Sequence, residues 1–100
     1  MKLWIDNVHP APDLSYFAIP SVNSGKAYIE YCEKHNIVLE WIDLDYDAGN
    51  WAYDGGDFIH LLDWLEETGR NYPIRIHSMN FVGVANMRAI IKCNNWKEVF

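Results

Sequence analysis

Three stretches far apart in the chain each end an apolar run in groups that can hold a metal or a phosphate. The first is Ile5-Asp6-Asn7, with His9 close behind. The second is Asp43-Leu44-Asp45-Tyr46-Asp47, and the third is His77-Ser78-Met79-Asn80. Carboxylate oxygens are hard donors suited to Mg²⁺ or Mn²⁺, and a cation held by them can neutralise a phosphoryl group. A histidine changes charge near neutrality, so it can act as an acid, a base or a phosphate ligand. Asp, Asn and Ser also close strands simply because they favour turns. Three enriched strand ends together point to chemistry, provided the fold brings them to one edge.

Taken singly, Asp6, Asp45 and Asp47 are the candidate metal ligands, and His77 and Asp45 the candidate catalytic groups. His9, Ser78 and Asn80 are candidate phosphate contacts. Asn80 also precedes a helical pattern and suits its N-cap, and a helix N-terminus is itself an anion site. Trp51 and Tyr53 lie in an Asp- and Gly-rich loop, where they could stack on a base or pack as a lid. If the second strand continues, Asp43, Asp45 and Asp47 share a face; of the three, Asp43 reads as structural. Their spacing resembles the opening of a calcium loop, but Ala48 stands where glycine is needed and a strand precedes it. Neither a Ser-His-Asp spacing nor a phosphate-binding glycine loop is present.

The elements that must position these groups alternate. Residues 2–5 form a first strand, and a loop marked by Pro10 and Pro12 follows, where helix is disfavoured. Residues 16–19 suit a short edge strand. A helix is expected from Ser24, as N-cap, to about His35, with Tyr28, Tyr31, Cys32 and His35 as its stripe. Residues 37–42, rich in β-branched side chains, are a buried-strand candidate. A second helix runs over about 57–68 with Phe58, Leu61, Leu62 and Leu65 inward, and Gly69 stops it. Residues 74–77 alternate as a strand, and a third helix covers about 82–92 with Met87, Ile90 and Ile91 inward. The last residues suit a short strand or an edge cover. This alternation predicts βαβ crossovers and a mostly parallel sheet in one domain, residues 1–100. The simplest order places the first strand centrally, flanked by 37–42 and 74–77. Ligands of such sheets bind beyond the carboxyl ends of the strands, at the switch point.

Composition narrows the partners. The chain has 8 Lys and Arg against 14 Asp and Glu, a net charge of −6, which repels a phosphate backbone and argues against nonspecific nucleic-acid binding. No apolar run is long enough to span a membrane. The opening MKLWIDNVHP meets Asp6 too soon for an export signal, so a cytoplasmic location is expected, with Cys32 and Cys93 as reduced, buried thiols. Five tryptophans among 15% aromatic residues exceed the needs of a small core, so some are expected to line a surface or pocket.

The three strand-end motifs carry a resemblance. The chain resembles the cyclic-phosphate-processing receiver domain family, whose first motif is L-D-D-x-R-P-x-P; here it reads Ile5-Asp6-Asn7-Val8-His9-Pro10-Ala11-Pro12. The middle motif, L-D-H-D-L-G, reads Leu44-Asp45-Tyr46-Asp47-Ala48-Gly49. The third, H-S-x-N-P-x-G, reads His77-Ser78-Met79-Asn80-Phe81-Val82-Gly83. The resemblance implies a small α/β fold, with a receiver- or flavodoxin-like parallel sheet and flanking helices. It also implies a site made by Asp6, Asp45, Asp47, His77, Ser78 and Asn80, and a close approach of the third helix at Gly83. Asn7 stands for an acid, His9 for an arginine, Tyr46 for a histidine and Phe81 for a proline. An arginine offers a permanent bidentate phosphate fork that His9 lacks.

These readings together predict metal-assisted hydrolysis of a cyclic phosphate, either a cyclic nucleotide or a 2′,3′-cyclic RNA end. Two alternatives stay open: a non-catalytic module that binds or sequesters a signalling nucleotide, and an acidic protein-interaction domain. A homo-oligomer is compatible with all three.

Overall fold

A computed structural model describes residues 1–100. The chain forms β1 (Lys2–Ile5), β2 (Tyr16–Ile19), α1 (Val22–Lys34), β3 (Ile42–Leu44), a single 3₁₀ turn (Gly49–Trp51), α2 (Ile59–Glu67), β4 (Ile74–Ile76), α3 (Phe81–Cys93) and β5 (Glu98–Val99). All strand pairs are parallel, in the order β2-β1-β3-β4-β5. This is the doubly wound order of receiver- and flavodoxin-like sheets. β1 is therefore flanked by β2 and β3, and β4 lies beyond β3, which corrects the simplest arrangement expected above.

Leu3, Ile5, Ile42, Leu44 and Ile74 share one face of the sheet through the strand register and are fully buried. The steps β2 to β3, β3 to β4 and β4 to β5 all run the same way across the sheet, so right-handed crossovers put α1, α2 and α3 on that one face. Leu61, Leu62 and Leu65 of α2 and Met87 and Ile91 of α3 complete the core there, while Ile90 is half-buried. The opposite face carries Lys2, Trp4, Tyr16, Asp43 and Arg75, and no helix crosses it. The loop from β1 to β2 lies over this face instead, tied down where the Trp4 indole donates to the His9 carbonyl at 2.9 Å. Pro10 and Pro12 keep that connection from becoming a helix.

Four local expectations need correction. The strand expected over residues 37–42 is β3 at Ile42–Leu44; Asn36 ends the α1 region with φ of 56°, and Val38 is exposed. Ser21, rather than Ser24, caps α1: its side chain accepts from the Ser24 N–H. The buried stripe of α1 is accordingly Val22, Gly25, Ile29 and Cys32, leaving Tyr31 and His35 outside. Of the two cysteines, Cys32 is buried and Cys93 is exposed. No helix is long and apolar enough to cross a membrane.

Candidate active site

β1 and β3 are neighbours, yet the chain leaves them in opposite directions, so the switch point lies between their carboxyl ends. Asp6 follows β1, Asp45 follows β3 and His77 follows β4. A cavity of about 610 Å³ opens here, lined by His9, Asp45, Asp47, His77, Ser78, Met79 and Asn80. It holds six of the residues singled out from the sequence, and Asp6 lies beneath it, bonded to His9 and His77.

Asp6 is the organising carboxylate. Its Oδ1 accepts the backbone N–H groups of Val8 at 2.8 Å and His9 at 3.1 Å, an Asx-type turn that starts the loop. Its Oδ2 accepts from His9 Nδ1 at 3.1 Å and His77 Nε2 at 2.9 Å. Burial alone would push the Asp6 carboxyl up, but the hydrogen bonds from Val8, His9 and His77 outweigh it and hold the carboxyl below its ordinary 3.8. Asp6 is thus ionised near neutrality although its side chain is 0% exposed.

His77 stands between two carboxylates. Its Nδ1 lies 2.6 Å from Asp43 Oδ1, its Nε2 faces Asp6, and its ring stacks on Trp4 at 3.7 Å between centroids. A carboxylate oxygen faces each ring nitrogen, an arrangement that favours the doubly protonated, cationic ring. Burial favours the neutral ring, yet the bonds to Asp43 and Asp6 raise the His77 pKa above 6.5. Tyr16 Oη (3.1 Å) and Arg75 Nη1 (2.9 Å) donate to Asp43 Oδ2, so the two buried carboxylates are linked through His77 and Asp43 reaches the partly exposed Arg75. The acid–base role expected of His77 meets a physical obstacle, because any proton transfer from it must first break one of these two bonds.

The third strand end supplies donors. Ser78 Oγ accepts the Asn80 N–H at 3.2 Å, which leaves its hydroxyl proton to donate. Asn80 caps α3 by accepting the Gly83 N–H at 2.9 Å, as its place before the helix implied. The opening N–H groups of α3 have no partner within the helix, so this end of the cavity favours an anion. Gly83 admits the Tyr46 ring: a Cβ built at Gly83 would overlap that ring.

Asp6, His9 and Asp45 form the group fit for a cation, with one ligand atom from each within 4.8 Å of the others. This differs from the expected set of Asp6, Asp45 and Asp47. β3 stops at Leu44, so the three alternating aspartates do not share an extended face, and Asp47 reaches the cavity without joining the group. His9 takes its place, although its sequence signal was only that of a phosphate contact. Asn7 lies against Gly49, whose φ is 56°, and stays outside the group. Trp51 and Tyr53 do not line the cavity. They stack on each other at 5.9 Å between centroids, and Tyr53 is 80% exposed. Their loop is drawn the other way, toward α1, by Asp54: Ser21 Oγ donates to it at 2.6 Å and the Asn23 N–H donates to its carbonyl at 3.1 Å.

A family model described as the cyclic-phosphate processing receiver domain matches residues 1–93. No curated protein and no solved structure matches the chain.

Proposed function

The chain belongs to the cyclic-phosphate processing receiver domain family, and from that premise we propose that it opens a cyclic phosphodiester by hydrolysis at the carboxyl edge of its sheet. The substrate class is a cyclic nucleotide or a 2′,3′-cyclic RNA end. The observation that carries the reading is one cavity lined by carboxylates on one side and by phosphate donors on the other.

The substrate phosphate would sit between His77 and the start of α3. The imidazolium attracts its negative charge, and the Ser78 hydroxyl and Asn80 amide donate to its oxygens. Asp6, His9 and Asp45 would hold a divalent cation, which supplies charge neutralisation at the phosphoryl oxygens and acidifies a bound water. Asp47, exposed on the cavity wall, would accept the proton of the attacking water. A bond forms from water oxygen to phosphorus, one ring P–O bond breaks, and the released oxygen takes a proton from solvent in the open cavity. A second reading, capture without turnover, is favoured by one feature: neither nitrogen of His77 is free to protonate a leaving group.

Phosphorus NMR separates the readings. The protein is incubated with 2′,3′-cyclic and 3′,5′-cyclic mononucleotides, with Mg²⁺, Mn²⁺ or Zn²⁺. Hydrolysis moves the cyclic resonance to that of a monoester, and Asp45→Asn abolishes the change. Binding without a new resonance supports capture. Neither binding nor product refutes both.

A further inference from the structure

The group that would hold a cation contains a nitrogen donor, and the hydrolytic reading does not require one. Asp6 Oδ2 and His9 Nδ1 are 3.1 Å apart, bridged by one proton. A first-row ion bonds imidazole nitrogen and carboxylate oxygen at about 2.0–2.2 Å, so two donors on adjacent coordination positions stand about 3.0–3.5 Å apart. The existing hydrogen bond thus already has the span of two neighbouring ligands. Replacing its proton by a metal ion needs no movement of the backbone. A neutral His9 need only carry its proton on Nε2 instead.

The pair is also held in place. The Asp6 turn fixes the His9 backbone through the 3.1 Å bond to its N–H, and the Trp4 indole fixes its carbonyl. Asp6 is oriented from behind by His77, which Asp43 orients in turn, the kind of outer hydrogen bonding that aims a metal ligand. Asp45 supplies the third donor, and the cavity leaves further positions to water or substrate.

Resting on the cation-binding part of the function proposed above, we propose that His9 makes this a mixed nitrogen–oxygen site that selects a Zn²⁺-class ion over Mg²⁺. Mg²⁺ demands oxygen ligands and sheds its water reluctantly, whereas imidazole suits zinc, cobalt and nickel. The strand-end carboxylates of the sequence, taken alone, suit Mg²⁺ or Mn²⁺; the nitrogen of His9 is what changes the preference.

The test is direct metal binding, with Co²⁺ as the spectroscopic stand-in for Zn²⁺. Titration calorimetry with Zn²⁺, Co²⁺ and Mg²⁺ is run on wild type, His9→Asn and His60→Asn, alongside the visible absorption of the Co²⁺ protein. The expected result is tighter binding of Zn²⁺ and Co²⁺ than of Mg²⁺, with a cobalt spectrum showing nitrogen ligation. His9→Asn weakens Zn²⁺ and Co²⁺ by about tenfold or more, since even a residue that only orients a ligand is worth that much. It leaves Mg²⁺ nearly unchanged. His60, an exposed histidine paired with Asp63, controls for surface binding, and its variant behaves as wild type. Because the His9 side chain is 67% exposed, its replacement does not threaten folding. Equal loss of all three ions in His9→Asn, an unchanged cobalt spectrum, or preference for Mg²⁺ overturns the proposal while leaving hydrolysis standing. Cobalt held through His9 in a protein that opens no cyclic phosphate supports this site and sinks the hydrolytic reading.

Discussion

Asp43→Asn tests the charge cluster on which the site is built. Asp43 is 0% exposed and accepts three hydrogen bonds, from Tyr16, Arg75 and His77. Removing one partner of a buried ion pair costs about 3–5 kcal/mol. Here Arg75 is 38% exposed and can regain water, and His77 can shed a proton. Those two reliefs bring the expected loss to about 2–3 kcal/mol. In a domain of this size each kcal/mol moves the melting temperature by about 4–8 °C, so the variant should melt about 10–20 °C lower. The pH dependence should change as well. His77 has a folded-state pKa raised above 6.5, so its stabilisation is complete below that value and is lost as pH rises through the raised one. With Asp43 neutralised only Asp6 still raises it, so the loss is smaller and is complete at lower pH. Thermal unfolding by circular dichroism in EDTA, from about pH 5.5 to 9, reads the first effect, and an imidazole NMR titration reads the second. A melting shift under about 4 °C, or a His77 titration unmoved by the substitution, would refute the reasoning.

Two further outcomes follow from the packing. Gly83→Ala would ordinarily stabilise a helix by about 1 kcal/mol, but here the added methyl meets the Tyr46 ring, so urea unfolding should give a loss of about 1–3 kcal/mol that Tyr46→Ala relieves in the double variant. Stabilisation by Gly83→Ala alone would mean the ring moves aside freely. Trp51→Ala should leave affinity for any cavity-bound nucleotide unchanged, since the ring lies outside the cavity; a stacked base is worth about 1–3 kcal/mol, so a loss of fivefold or more in a binding titration would place the ring over the ligand.

Much of the site could be read from strand ends because a parallel sheet gathers carboxyl ends at one edge. That argument located Asp6, Asp45, His77, Ser78 and Asn80 without the strand order, which was itself expected wrongly. It did not require β3 to be placed correctly either: Ile37, Val38 and Leu39 are as apolar as a strand should be, yet the ladder forms at Ile42–Leu44. That register buries Ile42 and Leu44 and accommodates Asp43, a poor strand former on its own, because Arg75 on the neighbouring strand, Tyr16 and His77 bond to its carboxylate. Partners 27 to 34 positions away leave no local signal. His9 was visible as a residue but not as a ligand, since only the Asp6 turn brings its Nδ1 to the carboxylate. Ser21 and Ser24 are equally good caps in isolation; Asp54, 33 residues beyond Ser21, decides between them.

β1 lies between two strands that the chain supplies later, and the bond from His77 to Asp6 spans 71 positions. A growing chain therefore holds Leu3 and Ile5 without their full set of neighbours until β3 exists, and Asp6 without its buried cation until β4 is complete. Closure of the site by His77 therefore comes after β1 has its strand neighbours in a growing chain, and it locks the end of β1 to a strand end beyond β3. A ligand that binds only the closed site adds its binding free energy to that lock. Amide hydrogen exchange at Leu3 and Ile5 should then slow on addition of the cavity's ligand, and exchange there that ignores the ligand would show the strand and the site to be independent.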